Sequence, residues 1–157
     1  MPFTLNRSSD VIAGPEITTT EEKVHGVLRL EGDQLLIQWR LMRSTSRIGA
    51  TIKTESEVEP VAEFAVPVAM LASADVKYSW WRVGRQVRLA LIASDLRAFE
   101  TIAGQGGLKL DHPAELVVNV RRGDLEAARE FAAELEMAVA DRAIARLEDA
   151  GPQGPTQ

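Results

Sequence analysis

The stretch that decides the fold is residues 24–41, VHGVLRLEGDQLLIQWRL. Two alternating apolar runs are joined by EGDQ, and glycine at the first central position of a Gly32-Asp33 turn suits a type II′ hairpin. This turn sets three pairs opposite each other on one apolar face: Leu30 with Leu35, Leu28 with Ile37, and Gly26 with Trp39. Val24 and Leu41 extend that face. The other face is mixed: His25, Val27, Arg29, Leu36, Gln38 and Arg40. The pattern predicts a half-buried antiparallel hairpin.

The segment that follows is polar and then apolar. Residues 43–60, RSTSRIGATIKTESEVEP, predict a long loop. The alternating carboxylates Glu55, Glu57 and Glu59 favour a solvated loop or a charge-guarded edge strand over a cation site. Residues 63–71, EFAVPVAML, predict an edge strand or a strand that ends at Pro67, because proline cannot donate to a ladder.

A second hairpin is predicted in residues 78–91, YSWWRVGRQVRLAL. A turn at Gly84-Arg85 pairs Trp80 with Leu89 and Tyr78 with Leu91 on the core face. Neighbours in a strand point to opposite sides, so Trp81 falls on the outer face, opposite Arg88. An exposed Trp81–Arg88 cation–π pair contributes about 0.5–1 kcal/mol. Tryptophan and arginine are also favoured at the centres of protein contacts.

The C-terminal part predicts one more strand and a long helix. In residues 115–120, ELVVNV, the inward positions are Leu116, Val118 and Val120. Asp124 is a favourable N-cap for a helix that runs to about Glu148. Its core-facing stripe follows the spacing of three and four: Leu125, Ala128, Phe131, Ala132, Leu135, Ala138, Val139 and Arg142. A helix of this length outreaches a small barrel, and we expect its last turns to project or to meet another chain.

Composition limits the classes of function. The chain has 157 residues, a net charge of −5 and no cysteine. This balance counts against wholesale binding of nucleic acid, and no thiolate chemistry is expected. His25 falls on an outer strand face and His112 in a turn, and we find no catalytic set around either of them. We therefore expect no enzyme activity, no cofactor and no metal site.

Targeting signals are also not expected. No apolar run reaches the roughly 18 residues of a membrane span, and the first residues do not resemble a signal peptide. The prediction is a cytoplasmic protein without a transmembrane segment. We divide it into a flexible N-terminal arm over 1–20, one domain over 21–149 and a disordered Pro/Gly-rich tail over 150–157.

Six or seven antiparallel strands followed by one long helix resemble the pleckstrin-homology-like (PH-like) superfold. The resemblance covers residues 22 to about 148. Four stretches carry it: VHGVLRLEGDQLLIQWRL, EFAVPVAMLASADVKYSWW, RQVRLALIA and ELVVNVRRGDLEAAREFAAELE. The chain looks most like the PH-like domains of bacterial proteins. The resemblance implies an α+β fold, in which two near-orthogonal antiparallel sheets form a barrel capped by the helix.

The resemblance also implies a binding module without catalysis. In the phosphoinositide-binding branch, basic residues on the first two strands and their joining loop hold phosphates, and Arg29 and Arg40 match two such positions. This chain departs from that pattern at Gln38, where a basic residue is usual. The joining loop EGDQ is short and acidic, which makes it a poor cradle for a polyphosphate.

Two classes of function follow. In the first, the protein contacts another protein or self-associates, through an outer sheet face or the C-terminal helix. In the second, a small ligand or lipid headgroup binds at the open barrel end or in the segment 43–60. The candidate binding residues are Trp81, Arg85, Arg88, Arg29 and Arg40, and no nucleic-acid partner is expected.

Overall fold

The structure is a computed structural model that describes residues 1–78, 87–100, 102, 108 and 110–150. Those residues form eight β-strands and a C-terminal helix, which is an α+β arrangement. The strands are β1 (Pro2–Ala13), β2 (Glu16–Glu31), β3 (Gln34–Ile48), β4 (Ile52–Val58), β5 (Ala62–Pro67), β6 (Leu71–Tyr78), β7 (Val87–Ala93) and β8 (Glu115–Val120). The helix, α1, spans Leu125–Asp149.

The strands form one antiparallel sheet in the order β4-β3-β2-β1-β8-β7-β6. Strand β3 is so long that two strands share its second edge: β4 pairs with its outer part and β5 with its inner part. The C-terminal meander β6-β7-β8 joins the N-terminal strands through one described pair, Thr4 opposite Asn119. The core lies between the inner face of the sheet and α1, which packs mainly against β6.

The first hairpin has the predicted register. Leu30 lies opposite Leu35, and Leu28 lies opposite Ile37. Gly32 adopts φ +59°, the left-handed conformation that the two-residue turn requires. Leu28, Leu35 and Ile37 are fully buried. The alternating pattern was therefore sufficient to fix this pair of strands.

Residues 1–20 differ from the expected flexible arm. They form β1 and the start of β2, and β1 pairs with β2 along its whole length. Phe3 is buried in the core and covers Gly26. The Met1 amino group donates to the carbonyl oxygen of Leu28 at 2.5 Å, and burial, with a smaller contribution from Arg29, lowers its pKa. A polar, alternating segment is ordered here because its neighbour satisfies its backbone.

Residues 43–60 are likewise not a long loop. They contain the outer part of β3 and all of β4, which pair from Met42–Val58 to Ile48–Ile52. Strands β1 and β4 lie in segments that were predicted to be irregular, so the described strands number eight instead of six or seven. Both segments lack an apolar stripe because most of their length lies beyond the core, and Phe3 is the only residue in either of them that is buried. Proline ends β5 at Pro67, as predicted.

The second hairpin keeps its predicted faces but not its register. Tyr78 lies opposite Val87 and Val76 opposite Leu89, whereas the expected turn placed Tyr78 opposite Leu91. The shift is an even number of residues, so Leu89 and Leu91 remain buried. Tyr78 was expected in the core, but it is 42% exposed because this register carries it to the end of the ladder.

The C-terminal elements agree with the sequence. Leu116, Val118 and Val120 are buried along β8, and α1 buries Ala128, Phe131, Ala132 and Leu135. Asp124 occupies the N-cap position of α1, although its side chain makes no capping hydrogen bond. Two arginines tie the last turns to the body: Arg142 pairs with Asp33 at 2.8 Å, and Arg146 donates to the Ala69 carbonyl at 2.7 Å. Apart from Ala150, the predicted tail lies outside the described residues.

Candidate functional site

Arg29 and Arg40 share the outer face of the β2–β3 hairpin but are not brought together. Arg40 lies opposite His25, four residues along β2 from Arg29, which is roughly 13 Å at the rise of a strand. Arg29 pairs with Glu31 at 3.3 Å. Between them, the Gln38 amide donates a hydrogen bond to the Glu63 carboxylate. This spacing and the intervening carboxylate do not fit a compact phosphate cradle.

Of the other predicted binding residues, Trp81 and Arg85 lie outside the described residues. Arg88 is exposed on the outer face of β7, as its parity indicated. Its cross-strand neighbour is Lys77, not Trp81. The predicted pairing of Trp81 with Arg88 is therefore wrong, because the pairs of β6 and β7 are displaced by four residues from the expected register, with Tyr78 opposite Val87 instead of Leu91.

The register instead places Arg88 and Arg40 in one cross-strand row on the outer face. Residues directly opposite each other point to the same side, so the row can be followed across six strands. From β6 to β3 it contains Lys77, Arg88, Asn119, Thr4, His25 and Arg40. It holds three permanent cations, one imidazole and no carboxylate, over about 24 Å along the sheet. Sequence reasoning missed this row because its members come from strands far apart in the chain.

A polar cleft opens where β1 and β8 diverge beyond their Thr4–Asn119 pair. Its volume is about 280 Å³, and its lining includes Arg7, Arg88, Asp111 and His112. Arg7 lies 3.9 Å from the Asp111 carboxylate. His112 accepts a hydrogen bond from the Ala114 backbone through Nδ1, so its neutral ring carries the proton on Nε2. The cleft can offer guanidinium groups and an N–H donor to a small anion.

The alternating glutamates have a structural role. Glu57 and Glu59 lie 3.9 and 3.8 Å from the Arg43 guanidinium, and Glu22 lies 3.2 Å from it. This network crosses β2, β3 and the β4 region, so the carboxylates neutralise an arginine. Among the described residues, no group of three or more histidine, aspartate or glutamate side chains is placed to hold a metal ion.

Helix α1 carries a second apolar stripe on the side away from the core. Its members alternate at spacings of four and three residues, the pattern of a coiled-coil seam. We call it the outer seam: Ala133, Met137, Ala140, Ile144 and Leu147. Met137, Ile144 and Leu147 are 63%, 54% and 75% exposed. The inner stripe was predicted from the sequence, but the outer seam was not recognised within a pattern so rich in alanine.

No protein-family model, curated protein or solved structure gives a significant match to this chain. None of the helices among the described residues is both long enough and apolar enough to cross a membrane. The geometry of the sheet and of α1 is therefore what points to a function.

Proposed function

We propose that this protein is a PH-like interaction module of the cytoplasm, without catalytic activity, that self-associates through the outer seam of α1. The order of its elements supports the PH-like part: an N-terminal meander, a three-stranded meander β6-β7-β8 that joins β1, and then a helix packed on the core. In such a fold one face of the helix packs against the core. A second apolar face is then available for a partner.

The observation that carries the proposal is the exposure of the outer seam. Leu135 on the inner stripe is fully buried, whereas Leu147 on the outer seam is 75% exposed. Exposed apolar residues at heptad spacing are typical of a helix that packs against another helix. Two copies of α1 satisfy this geometry with the same surface on each, as a two-fold dimer requires.

The strength of such a dimer is limited by its small contact and its charge. Full burial of a side chain such as Ile144 or Leu147 contributes about 1.5–3 kcal/mol, and association costs at least about 4 kcal/mol. Acidic residues flank one side of the seam at heptad spacing, at Glu134, Asp141 and Glu148. In a dimer of α1 these rows repel each other, so we expect weak association that salt strengthens by screening.

The test is the solution mass measured by light scattering over a series of protein and salt concentrations. We expect the mass to rise with both, and Ile144→Glu to abolish the rise. Ala127→Glu is the matched control, because it adds the same charge to an exposed position of α1 outside the seam. A wild-type monomer under every condition would refute self-association. The outer seam would then be assigned to binding a different protein, one whose contact surface is flanked by basic residues.

A second candidate is a small anionic ligand in the cleft between β1 and β8. The observation that favours it is the presence of Arg7 and Arg88 in the lining, with His112 beside them. Pyrophosphate is a suitable probe, and a saturable rise in melting temperature that Arg88→Gln removes would support this function. Asp111 and Glu115 also line the cleft. If these carboxylates repel anions, pyrophosphate will not change the melting temperature, and the cleft is then not an anion site.

A further inference from the structure

The outer parts of β1, β2, β3 and β4 form a sheet that extends beyond the core. We call it the β-extension; it comprises residues 7–23 and 42–58. The last buried residues before it are Val24 on β2 and Leu41 on β3, and every residue of β4 is exposed. Seven residues beyond Leu41, the strand reaches roughly 24 Å past the core. Both faces of the β-extension are therefore open to contact.

Four isoleucines form a single row near the tip of the β-extension. Ile12 lies opposite Ile17, Ile17 opposite Ile48, and Ile48 opposite Ile52, so all four point to the same face. We call this row the isoleucine ladder. Its members are 74%, 41%, 47% and 74% exposed, in strand order. The ladder packs against itself, far from the core, and leaves most of its apolar surface uncovered.

Two cations that form no ion pair with any described residue lie one residue behind the ladder, on the other face. Arg47 lies directly opposite Lys53, a placement of like charges that destabilises a sheet. Among the described residues, neither of them forms an ion pair, whereas Arg43, four residues from Arg47, contacts three carboxylates. An external anion between the two side chains would relieve their repulsion.

The exposed area indicates what covers the ladder. Its four side chains leave on the order of 300 Å² of apolar surface uncovered, less than the roughly 450 Å² of apolar surface that each partner of a stable protein interface buries. A lipid surface needs no such area, because interfacial segments bury an apolar patch only about 5–10 Å deep. The ladder lies within two residues of the Gly14-Pro15 turn, which places it in that depth range.

At this depth of insertion, the two cations lie at the level of the lipid phosphates. Arg47 and Lys53 lie one residue farther from the tip than the ladder, or about 3.4 Å. When the isoleucines reach the acyl boundary, these side chains are at the level of the lipid phosphates. Membrane anchoring generally requires two weak signals together, an apolar insertion and a basic patch. The tip supplies both, although Glu16 and Glu55, on the same face as the two cations, oppose the second.

We propose that the tip of the β-extension inserts into the surface of a lipid bilayer that contains anionic lipids. The isoleucine ladder enters the interface, and Arg47 and Lys53 bind the phosphates. This site is separate from α1 and from Arg29 and Arg40, so it stands or falls independently of the proposed self-association.

The test is co-sedimentation of the full chain with vesicles of phosphatidylcholine and phosphatidylglycerol at three to one. The ladder variant is Ile12→Ser with Ile52→Ser, which removes the two most exposed members. We expect its partition coefficient to fall at least tenfold. Val58→Ser with Val61→Ser is the matched control: these valines are 57% and 56% exposed but lie at the base of the β-extension, and binding should be unchanged.

A charge variant separates the two signals. Arg47→Gln with Lys53→Gln should weaken binding to the anionic vesicles several-fold and leave the weak binding to pure phosphatidylcholine unchanged. Glu16→Gln should strengthen binding to the anionic vesicles. Wild-type protein that stays in the supernatant overturns the proposal, as does equal sedimentation of the ladder and control variants. A lipid-free oligomer lost only in the ladder variant would also overturn it, and would assign the ladder to a second copy of this chain.

Discussion

Replacing Gly26 by alanine is expected to destabilise the fold, because a methyl group has no space there. A Cβ at position 26 would overlap the Phe3 ring and lie 2.6 Å from the carbonyl oxygen of Gln38. The ring can move only by disturbing the core, since Phe3 is 3% exposed. The Gln38 carbonyl belongs to the neighbouring strand, so it can move only if the β2–β3 ladder distorts.

The magnitude follows from two opposing terms. Overpacking a filled site costs about 1–3 kcal/mol, and alanine in a strand recovers about 0.5–1 kcal/mol relative to glycine. The difference between the two terms is a net loss of up to about 2.5 kcal/mol. Mid-range values give about 1 kcal/mol, which lowers the melting temperature by about 2–4 °C in a chain of this length. Thermal and urea unfolding, followed by tryptophan fluorescence and far-UV circular dichroism, would measure both quantities.

Two controls make the result specific. Gly123→Ala meets no heavy atom within 4 Å, so its stability should stay constant or rise by about 0.4–1 kcal/mol. In a Phe3→Leu background the ring is absent, and the cost of Gly26→Ala should shrink by on the order of 0.5–1 kcal/mol. If Gly26→Ala has the same effect on stability in the wild-type and Phe3→Leu backgrounds, Phe3 does not cover Gly26 and β1 is not packed against β2 in this register.

The remaining predictions concern α1 and the β-extension. Leu135→Ala should lower the free energy of unfolding by about 2–5 kcal/mol, because its side chain is fully buried. Leu147→Ala should change the free energy of unfolding, measured in urea, by less than about 0.5 kcal/mol. Equal effects of the two substitutions would contradict the assignment of the two helix faces. Arg43→Gln should speed amide exchange in the β-extension, in a manner that salt masks, and should cost at most about 1 kcal/mol. Arg142→Ala breaks the 2.8 Å pair with Asp33 and should raise amide exchange only in the last turns of α1; global unfolding at a lower temperature would refute a local role.

The two hairpins differ in how strongly the sequence of the turn determines the register of the strands. At Gly32-Asp33, glycine leaves one favourable two-residue turn between the apolar runs, and the predicted pairs are confirmed. Between β6 and β7 the sequence holds one glycine and two arginines, which do not select a single turn, and Tyr78 lies opposite Val87, four residues from its predicted partner Leu91. The faces survived because an even shift preserves side-chain parity.

For the predicted binding residues, too, the sequence indicated the face of the sheet but not the neighbouring residues. Their outward orientation followed from parity, and Arg29, Arg40 and Arg88 are on the outer face. Their neighbours did not follow, because neighbours are set by pairing between distant strands. Arg88 lies beside Lys77 and lines a cleft with Arg7, and neither relation is visible along the chain.

The sequence by itself determined which faces of the hairpin, of β8 and of α1 enter the core, because strand and helix periodicities are local properties of the chain. Only the tertiary structure decided that the polar segments at residues 1–20 and 43–60 are strands. Apart from Phe3 these segments bury no side chain of their own, and they are ordered because β2 and β3 complete their backbone hydrogen bonds. The isoleucine ladder depends on the same long-range register, which brings together Ile12, Ile17, Ile48 and Ile52 from four strands.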